Sequence, residues 1–212
     1  MPEFVIELLG APTIHRNGND VTPKRRKTMA LLAYLVAEPR RHSRARLAPI
    51  LWPDSGDARK LLRHAVYELK QCLGSDAVRS DQDRLWIDQG IITCSDINQL
   101  RHLADTGNVT TQPPSPIAVE KLCSGEFLEG IAFDDCDVLE EWVYGMREQL
   151  AHNRRRFLER LVAFHRTRGN NDTALALLER WQQLDRLDEG VCQQRIQLYM
   201  HRGEPRQAER VF

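Results

Sequence analysis

The sequence lacks the signatures of common enzymes and metal-binding domains. None of its five cysteines forms a Cys-x-x-Cys pair, and its seven histidines do not occur at metal-ligand spacing. It contains neither a glycine-rich phosphate loop nor a Gly-x-Ser-x-Gly sequence. We therefore expect a non-enzymatic protein with no catalytic residues, no metal and no cofactor.

Long apolar runs are also missing. The N-terminus has no basic region followed by an apolar segment, and no apolar stretch is long enough to span a bilayer. The apolar fraction of 42% nevertheless supports a packed core. We expect a cytoplasmic protein with reduced thiols and no membrane contact.

The net charge is zero, but the charges are unevenly distributed. Between residues 22 and 71 the cations outnumber the acids by about eight, whereas the half after residue 95 is mildly acidic. This asymmetry is typical of a basic binding domain joined to a domain with another task.

The most strongly patterned segment runs from Leu51 to Gly74. Pro53 ends one helix, and Asp57 is expected to cap the next helix through its side chain. From 58 to 73 the apolar residues fall on one face, and Gly74 ends the helix. The remaining surface of this helix carries the candidate DNA-reading residues Lys60, Arg63, His64, Tyr67 and Lys70.

The elements around this helix complete a winged helix-turn-helix. Strands are expected near 4–9 and 12–15, a helix over 24–37 and a short helix containing Leu51. A hairpin over 77–87 forms the wing. The first helix is expected to have Thr22 as its cap and Pro23 at its first helical position. The second helix is expected to have Ser43 as its cap and to be bent or shortened by Pro49. Residues 91–93 are expected to add a closing strand.

Six further cations are candidates for DNA-backbone or wing contacts. Solvated helix faces are the competing interpretation, and three nearby acids complicate the DNA interpretation. Asp81 and Asp83 argue against deep insertion of the wing, and Glu68 would repel phosphates if it faced them. The six candidates are Lys24, Arg25, Arg44, Arg46, Arg79 and Arg84.

We place a domain boundary at Ser95, which gives domains 1–95 and 96–212. The second domain reads as entirely helical, and Gly169 and Ala174 recur as Gly203 and Ala208. A shift of about 34 residues is the period of a tetratricopeptide (TPR) helix pair. Since the sequence ends inside a helical pattern, we expect the protein to continue beyond residue 212. The expected fold is mainly α with a small β component, a winged helix followed by an all-α TPR-like domain.

Several local motifs resemble a known family, the SARP or AfsR-type bacterial transcriptional regulators. The resemblance covers essentially the whole chain and implies an OmpR-type winged helix plus a bacterial transcriptional activator domain (BTAD). Family members often carry Asn at the position of Lys60 and Ser-Arg at Tyr67-Glu68, which puts the target sequence in doubt. The matching positions are 24–34, 43–44, 47, 51–54, 58–59, 62, 66, 69, 73–74, 125–130, 141–142, 147–150 and 174–178.

The function expected from the residues and the resemblance is sequence-specific DNA binding in transcription regulation, as an activator. The expected partners are double-stranded promoter DNA, a second copy of the chain on DNA, and RNA polymerase or a fused C-terminal effector region. The alternative is the protein-interaction front end of a larger signalling protein, with a winged helix that does not bind DNA.

Overall fold

A computed structural model describes residues 4–105, 113–185 and 187–211, with the side chain of Thr93 left out. It confirms a mainly helical fold with a small β component. The chain forms two compact units: unit 1 comprises Met1–Gln99 and Ser124–Leu150, and unit 2 comprises Leu100–Cys123 and Ala151–Phe212.

The strands and the helices between them give unit 1 its winged helix. The strands are β1 (Phe4–Glu7), β2 (Thr13–Arg16), β3 (Asn19–Asp20), β4 (His42–Ser43), β5 (Val78–Ser80), β6 (Arg84–Ile87) and β7 (Ile92–Ser95). The helices up to the hairpin are α1 (Arg26–Ala37), α2 (Arg44–Leu51) and α3 (Ala58–Leu73).

Helices dominate the rest of the chain. They are α4 (Asp96–Asp105), α5 (Pro116–Cys123), α6 (Asp137–Thr167), α7 (Asn171–Leu184), α8 (Glu189–His201) and α9 (Pro205–Ala208), with a 3-10 turn at Glu209–Val211.

The N-terminal sheet has the order β3-β2-β1-β7. Alternation along β1 buries Phe4 and Ile6 beneath the sheet. The strand expected to close the hairpin, 91–93, is instead β7, which pairs in parallel with β1. Asp96 follows it directly and secures this arrangement, because its buried carboxylate accepts the backbone N–H groups of Leu8 and Leu9, each at 2.7 Å.

The predicted hairpin is confirmed. β5 and β6 pair antiparallel with Val78 opposite Ile87, and β4 adds a third strand with His42 opposite Leu85. β4 passes directly into α2. The backbone N–H of Arg44, the first residue of α2, donates to the backbone oxygen of Asp83 at 2.8 Å. The wing therefore touches the start of α2. Pro49 is accommodated within this eight-residue helix.

Ser43 and Asp57 occupy the N-cap positions of α2 and α3 as predicted, but Thr22 is not the N-cap of α1 and the expected side-chain cap hydrogen bonds are not formed. Helix α1 begins at Arg26 rather than 24, because the hydroxyl of Thr22 accepts the N–H of Ile14 at 2.9 Å and so remains with β2. Neither Ser43 nor Asp57 makes a side-chain cap hydrogen bond. The hydroxyl of Ser55 accepts the N–H of Asp57 at 3.2 Å in the turn before α3.

Residues 124–150 pack with the N-terminal elements of unit 1. The backbone of Leu128 donates to Leu8 at 2.9 Å, and Gly10 donates to Glu126 at 2.7 Å. Trp142 lies against the rings of Tyr34 and Phe127, with centroid distances of 4.9 and 5.7 Å. The predicted boundary at residue 95 thus differs from the division between the compact units. The two-domain organisation stays a prediction.

Unit 2 repeats one helix-to-helix turn at the predicted shift. Gly169 and Gly203 both adopt a left-handed backbone conformation, with φ of 74° and 71°. The N–H of each glycine donates to the residue three positions earlier, Arg166 or Met200, at 3.1 Å in both cases. Ala174 and Ala208 are both buried. These matching turns support the TPR-like interpretation, which stays a prediction.

Candidate nucleic-acid interface

A cationic groove in unit 1 lies between the start of α2, helix α3 and the tip of the β5–β6 hairpin. Its volume is about 980 Å³. The groove is lined by Ser43, Arg44, Ala45, Arg59, Leu62, Arg63, Val66, Tyr67, Lys70, Asp81, Gln82, Asp83 and Arg84.

Helix α3 supplies one wall because its periodicity separates a buried face from an exposed one. Leu62 and Val66 are nearly inaccessible and belong to the core. The side chains at Arg59, Arg63 and Tyr67 repeat every four residues, so they form one stripe along the helix. Tyr67 is 65% exposed, so both its ring and its hydroxyl are accessible on this stripe.

The groove is positively charged. Five cations and two carboxylates line it. In the described part of the chain, Arg59 and Arg63 make no ion pair with an acidic residue. The Nε atom of Arg44 is enclosed and has no hydrogen-bond partner. Arginines without acidic partners are suited to bind phosphates or guanine edges.

Lys70 connects α3 to the hairpin. Its Nζ atom donates to the hydroxyl of Ser80 on β5 at 3.2 Å. The two walls are therefore held together by a polar contact within the same unit, and the Lys70 ammonium still lines the groove.

An aspartate turn shapes the hairpin tip. The carboxylate of Asp81 accepts the backbone N–H of Arg84 at 2.6 Å and that of Asp83 at 3.0 Å. The hydrogen bond from Arg84 is the main cause of the lowered pKa of Asp81. Asp81 thus serves the turn, while the side chain of Arg84 lines the groove.

The structure brings together five of the eleven predicted DNA-contacting residues. Arg63, Tyr67 and Lys70 line the groove from α3, and Arg44 and Arg84 line it from α2 and the hairpin. The remaining six lie outside its lining: Lys60, His64, Lys24, Arg25, Arg46 and Arg79.

Two of these six have acidic partners elsewhere in unit 1. Arg25 lies 3.9 Å from Glu68, whose carboxylate also accepts the hydroxyl of Thr28 at 2.7 Å. Glu68 therefore interacts with α1 and lies outside the groove lining, so the expected repulsion of phosphates has no support. Arg79 lies 3.7 Å from Asp88 and 4.0 Å from Asp76.

Sequence reasoning did not single out Arg59, which lines the groove. This arginine occupies the second position of α3 and precedes Arg63 by one helical turn. The pattern of apolar residues places both Lys60 and Arg59 on the exposed surface, and only the position of the hairpin distinguishes them. The sequence signal that could have identified Arg59 is its spacing of four residues from Arg63, which places both side chains on one face of the helix.

Among the described residues, no cluster of three or more His, Cys, Asp or Glu side chains is arranged to hold a metal ion. Within the same residues, no helix combines the length and the apolar character that a membrane span requires.

The architecture defines a winged helix-turn-helix followed by a helical region. No protein-family model matches the chain, and no curated protein matches it. A solved structure does match: Mycobacterium tuberculosis EmbR in complex with a low-affinity phosphopeptide, with a TM-score of 0.69 and 19% identity over the whole of this chain. This chain spans 59% of the EmbR chain. At this identity the likeness shows that this chain shares its fold with that part of EmbR.

Proposed function

We propose that this protein is a sequence-specific DNA-binding transcriptional regulator. The observation that carries the proposal is the cationic groove, in which α3, the start of α2 and the wing present arginines toward one space. A helix with an exposed, hydrogen-bonding stripe can enter the major groove of B-DNA while neighbouring elements contact the backbone. The fold shared with part of EmbR supports the same proposal.

The base-reading stripe is proposed to be Arg59, Arg63 and Tyr67. Arginine can donate two hydrogen bonds to the O6 and N7 atoms of guanine. Tyr67 offers an exposed ring for thymine methyl groups and a hydroxyl for a polar base edge.

The phosphate contacts are proposed to be Arg44, Lys70 and Arg84, on both sides of that stripe. Arg44 is the first residue of α2, so its guanidinium lies where the helix dipole also favours an anion. Arg84 follows the tip of the wing. Contacts of this kind fix the register on the duplex without reading sequence.

The finer parts of the proposal follow from the family resemblance. The protein acts as a bacterial, cytoplasmic activator and binds repeated half-sites of promoter DNA as a dimer. The TPR-like domain mediates self-association or contacts RNA polymerase or a fused effector region.

Selection of bound duplexes from a random-sequence DNA pool tests the proposal, followed by titration of the selected duplexes against salt. We expect an enriched motif with repeated half-sites and an affinity that falls steeply with salt. Weak binding without enrichment or salt dependence would instead favour the protein-interaction front end. The neutral net charge favours that alternative slightly. Glu68, which would also favour it by repelling phosphates, accepts a hydrogen bond from Thr28 of α1 and lies outside the groove lining.

A further inference from the structure

Unit 2 contains a second groove, separate from the cationic groove of unit 1. Its volume is about 440 Å³, within the range of roughly 300–1,000 Å³ that is usual for small-molecule sites. Three helices or their flanking residues line it: α5, α6 and α7. Each contributes residues three or four apart, which lie on one helix face.

The lining is apolar over most of its surface. Pro116 and Val119 come from α5, Leu161 from α6, and Ala176 and Leu177 from α7. Such a lining favours an apolar ligand body over a fully hydrated ion.

One end of the groove carries a cation without an acidic partner. Arg180 makes no ion pair in the described part of the chain, and its enclosed Nε atom has no hydrogen-bond partner. Glu120 also lines the groove but lies beyond ion-pair distance of Arg180. The nearby thiol of Cys123 is uncharged at neutral pH, because burial raises its pKa to about 11.

His165 adds a polar group to the lining of the groove. Its Nδ1 atom is enclosed without a hydrogen-bond partner. Burial, followed by the charge of Arg168, lowers the pKa of His165. The lining therefore holds one guanidinium, Arg180, and one carboxylate, Glu120, which make no ion pair with each other, and an anionic ligand group is favoured at Arg180.

We propose that this groove binds a small amphipathic anion, with its apolar body against α5, α6 and α7 and its anionic group at Arg180. The proposal concerns a ligand site in unit 2 and does not depend on DNA binding by unit 1.

Calorimetric titration of the full chain with octanoate tests this site. Octanamide, which has the same apolar body without the charge, and acetate, which has the charge without the body, serve as matched probes. We expect saturable octanoate binding that is about tenfold tighter than that of octanamide, since one charge-assisted contact is lost. Acetate should not saturate. Amide chemical shifts of Thr173 and Ala176 should move with octanoate.

Three variants locate the site. Arg180→Gln should weaken octanoate binding about tenfold, and Ala176→Trp, at an exposed position on the groove wall, should abolish it. Arg206→Gln, an exposed arginine outside the groove, should leave it unchanged. Circular dichroism checks that each variant folds.

Three results would overturn the proposal. These are the absence of saturable octanoate binding, equal binding of octanoate and octanamide by the natural chain, and shift changes outside the groove. A fourth result would also overturn the proposal: the natural chain does not bind octanoate, and Ala176→Trp changes the sedimentation. The groove would then be a contact between copies of the chain.

Discussion

Lys60 and Arg63 are both exposed side chains on α3, but they have different surroundings. Arg63 lines the cationic groove, whereas Lys60 lies on the same helix outside it. The two residues therefore offer a comparison in which charge, helix and exposure are similar and position alone differs.

Arg63→Ala should weaken binding to the selected DNA site by about 1–3 kcal/mol, because an arginine that reads a base loses a bidentate contact. Lys60→Ala should have a smaller effect. Titrations of both variants on the selected duplex and on a scrambled duplex at one salt concentration measure this. A larger loss for Lys60→Ala than for Arg63→Ala would contradict the assignment of the stripe.

Asp96 is a buried carboxylate with a structural task. Asp96→Ala should lower the free energy of unfolding by about 2–4 kcal/mol, because the amides of Leu8 and Leu9 lose their acceptor. Urea denaturation measures the change. The control is Asp76→Ala, whose carboxylate is exposed and 4.0 Å from Arg79, and which should change stability by less than about 0.5 kcal/mol. Equal effects of the two variants would show that the hydrogen bonds from Leu8 and Leu9 to Asp96 do not stabilise the fold.

The secondary-structure elements show which features the sequence could predict. Periodicity and Gly74 located α3, because a half-buried helix needs apolar residues on one face. The cap expected at Thr22 failed because its hydroxyl accepts the N–H of Ile14 and so remains with the sheet. Local signals cannot reveal such competition.

The segment 125–130 illustrates a contact that local patterns cannot reveal. Its residues matched the family motifs of the second domain, yet they pair with residues 8–10, over a hundred positions earlier. A pairing of that sequence separation leaves no periodicity. For the same reason Arg59 was missed, because its place in the groove depends on where the hairpin lies.

Gly125 tests this long-range pairing. Its φ is +69°, and a Cβ atom there would lie 2.4 Å from the Cα of Gly10. Gly125→Ala should therefore destabilise the protein by about 2–4 kcal/mol. Gly145→Ala is the matched control, because it lies inside α6 with nothing within 4 Å and should stabilise by about 0.5–1 kcal/mol. Thermal or urea unfolding of both variants measures whether their stabilities change in opposite directions. Equal changes in stability would refute the close approach of Gly125 to Gly10.

The wing tip has a pH dependence with a defined direction. The hydrogen bond from Arg84 lowers the pKa of Asp81 below its ordinary value of 3.8. The charged carboxylate therefore stabilises the turn above that value, and this stabilisation disappears as the pH falls through the lowered pKa. A carbon-detected NMR titration of the Asp81 carboxyl should give a midpoint below 3.8. A midpoint at or above it would show that the turn is absent in solution.

The complete chain is neutral, so long-range attraction to DNA must come from the arrangement of charge and not from its total. Three of the five cations that line the groove of unit 1 are the proposed phosphate contacts: Arg44, Lys70 and Arg84. If each neutralises one phosphate, the slope of log K against log salt should be about −2.7 per chain, since each contact releases about 0.9 counterions. Binding of two copies to repeated half-sites would double that slope to about −5.4.

Arg84→Ala should reduce the steepness of this salt dependence by about one unit for each bound chain, because one phosphate contact is lost. Arg206→Ala, an exposed change in α9, should leave the slope unchanged. The measurement is a fluorescence-anisotropy titration of one half-site and of two half-sites across a series of salt concentrations. Identical slopes on the two duplexes would argue against binding as a dimer, and an unchanged slope for Arg84→Ala would remove the wing from the interface. A contact to a base releases almost no counterions, so Arg63→Ala should lower the affinity but leave the slope of log K against log salt close to that of the natural protein. This difference would assign base reading to Arg63 and phosphate binding to Arg84 within one groove.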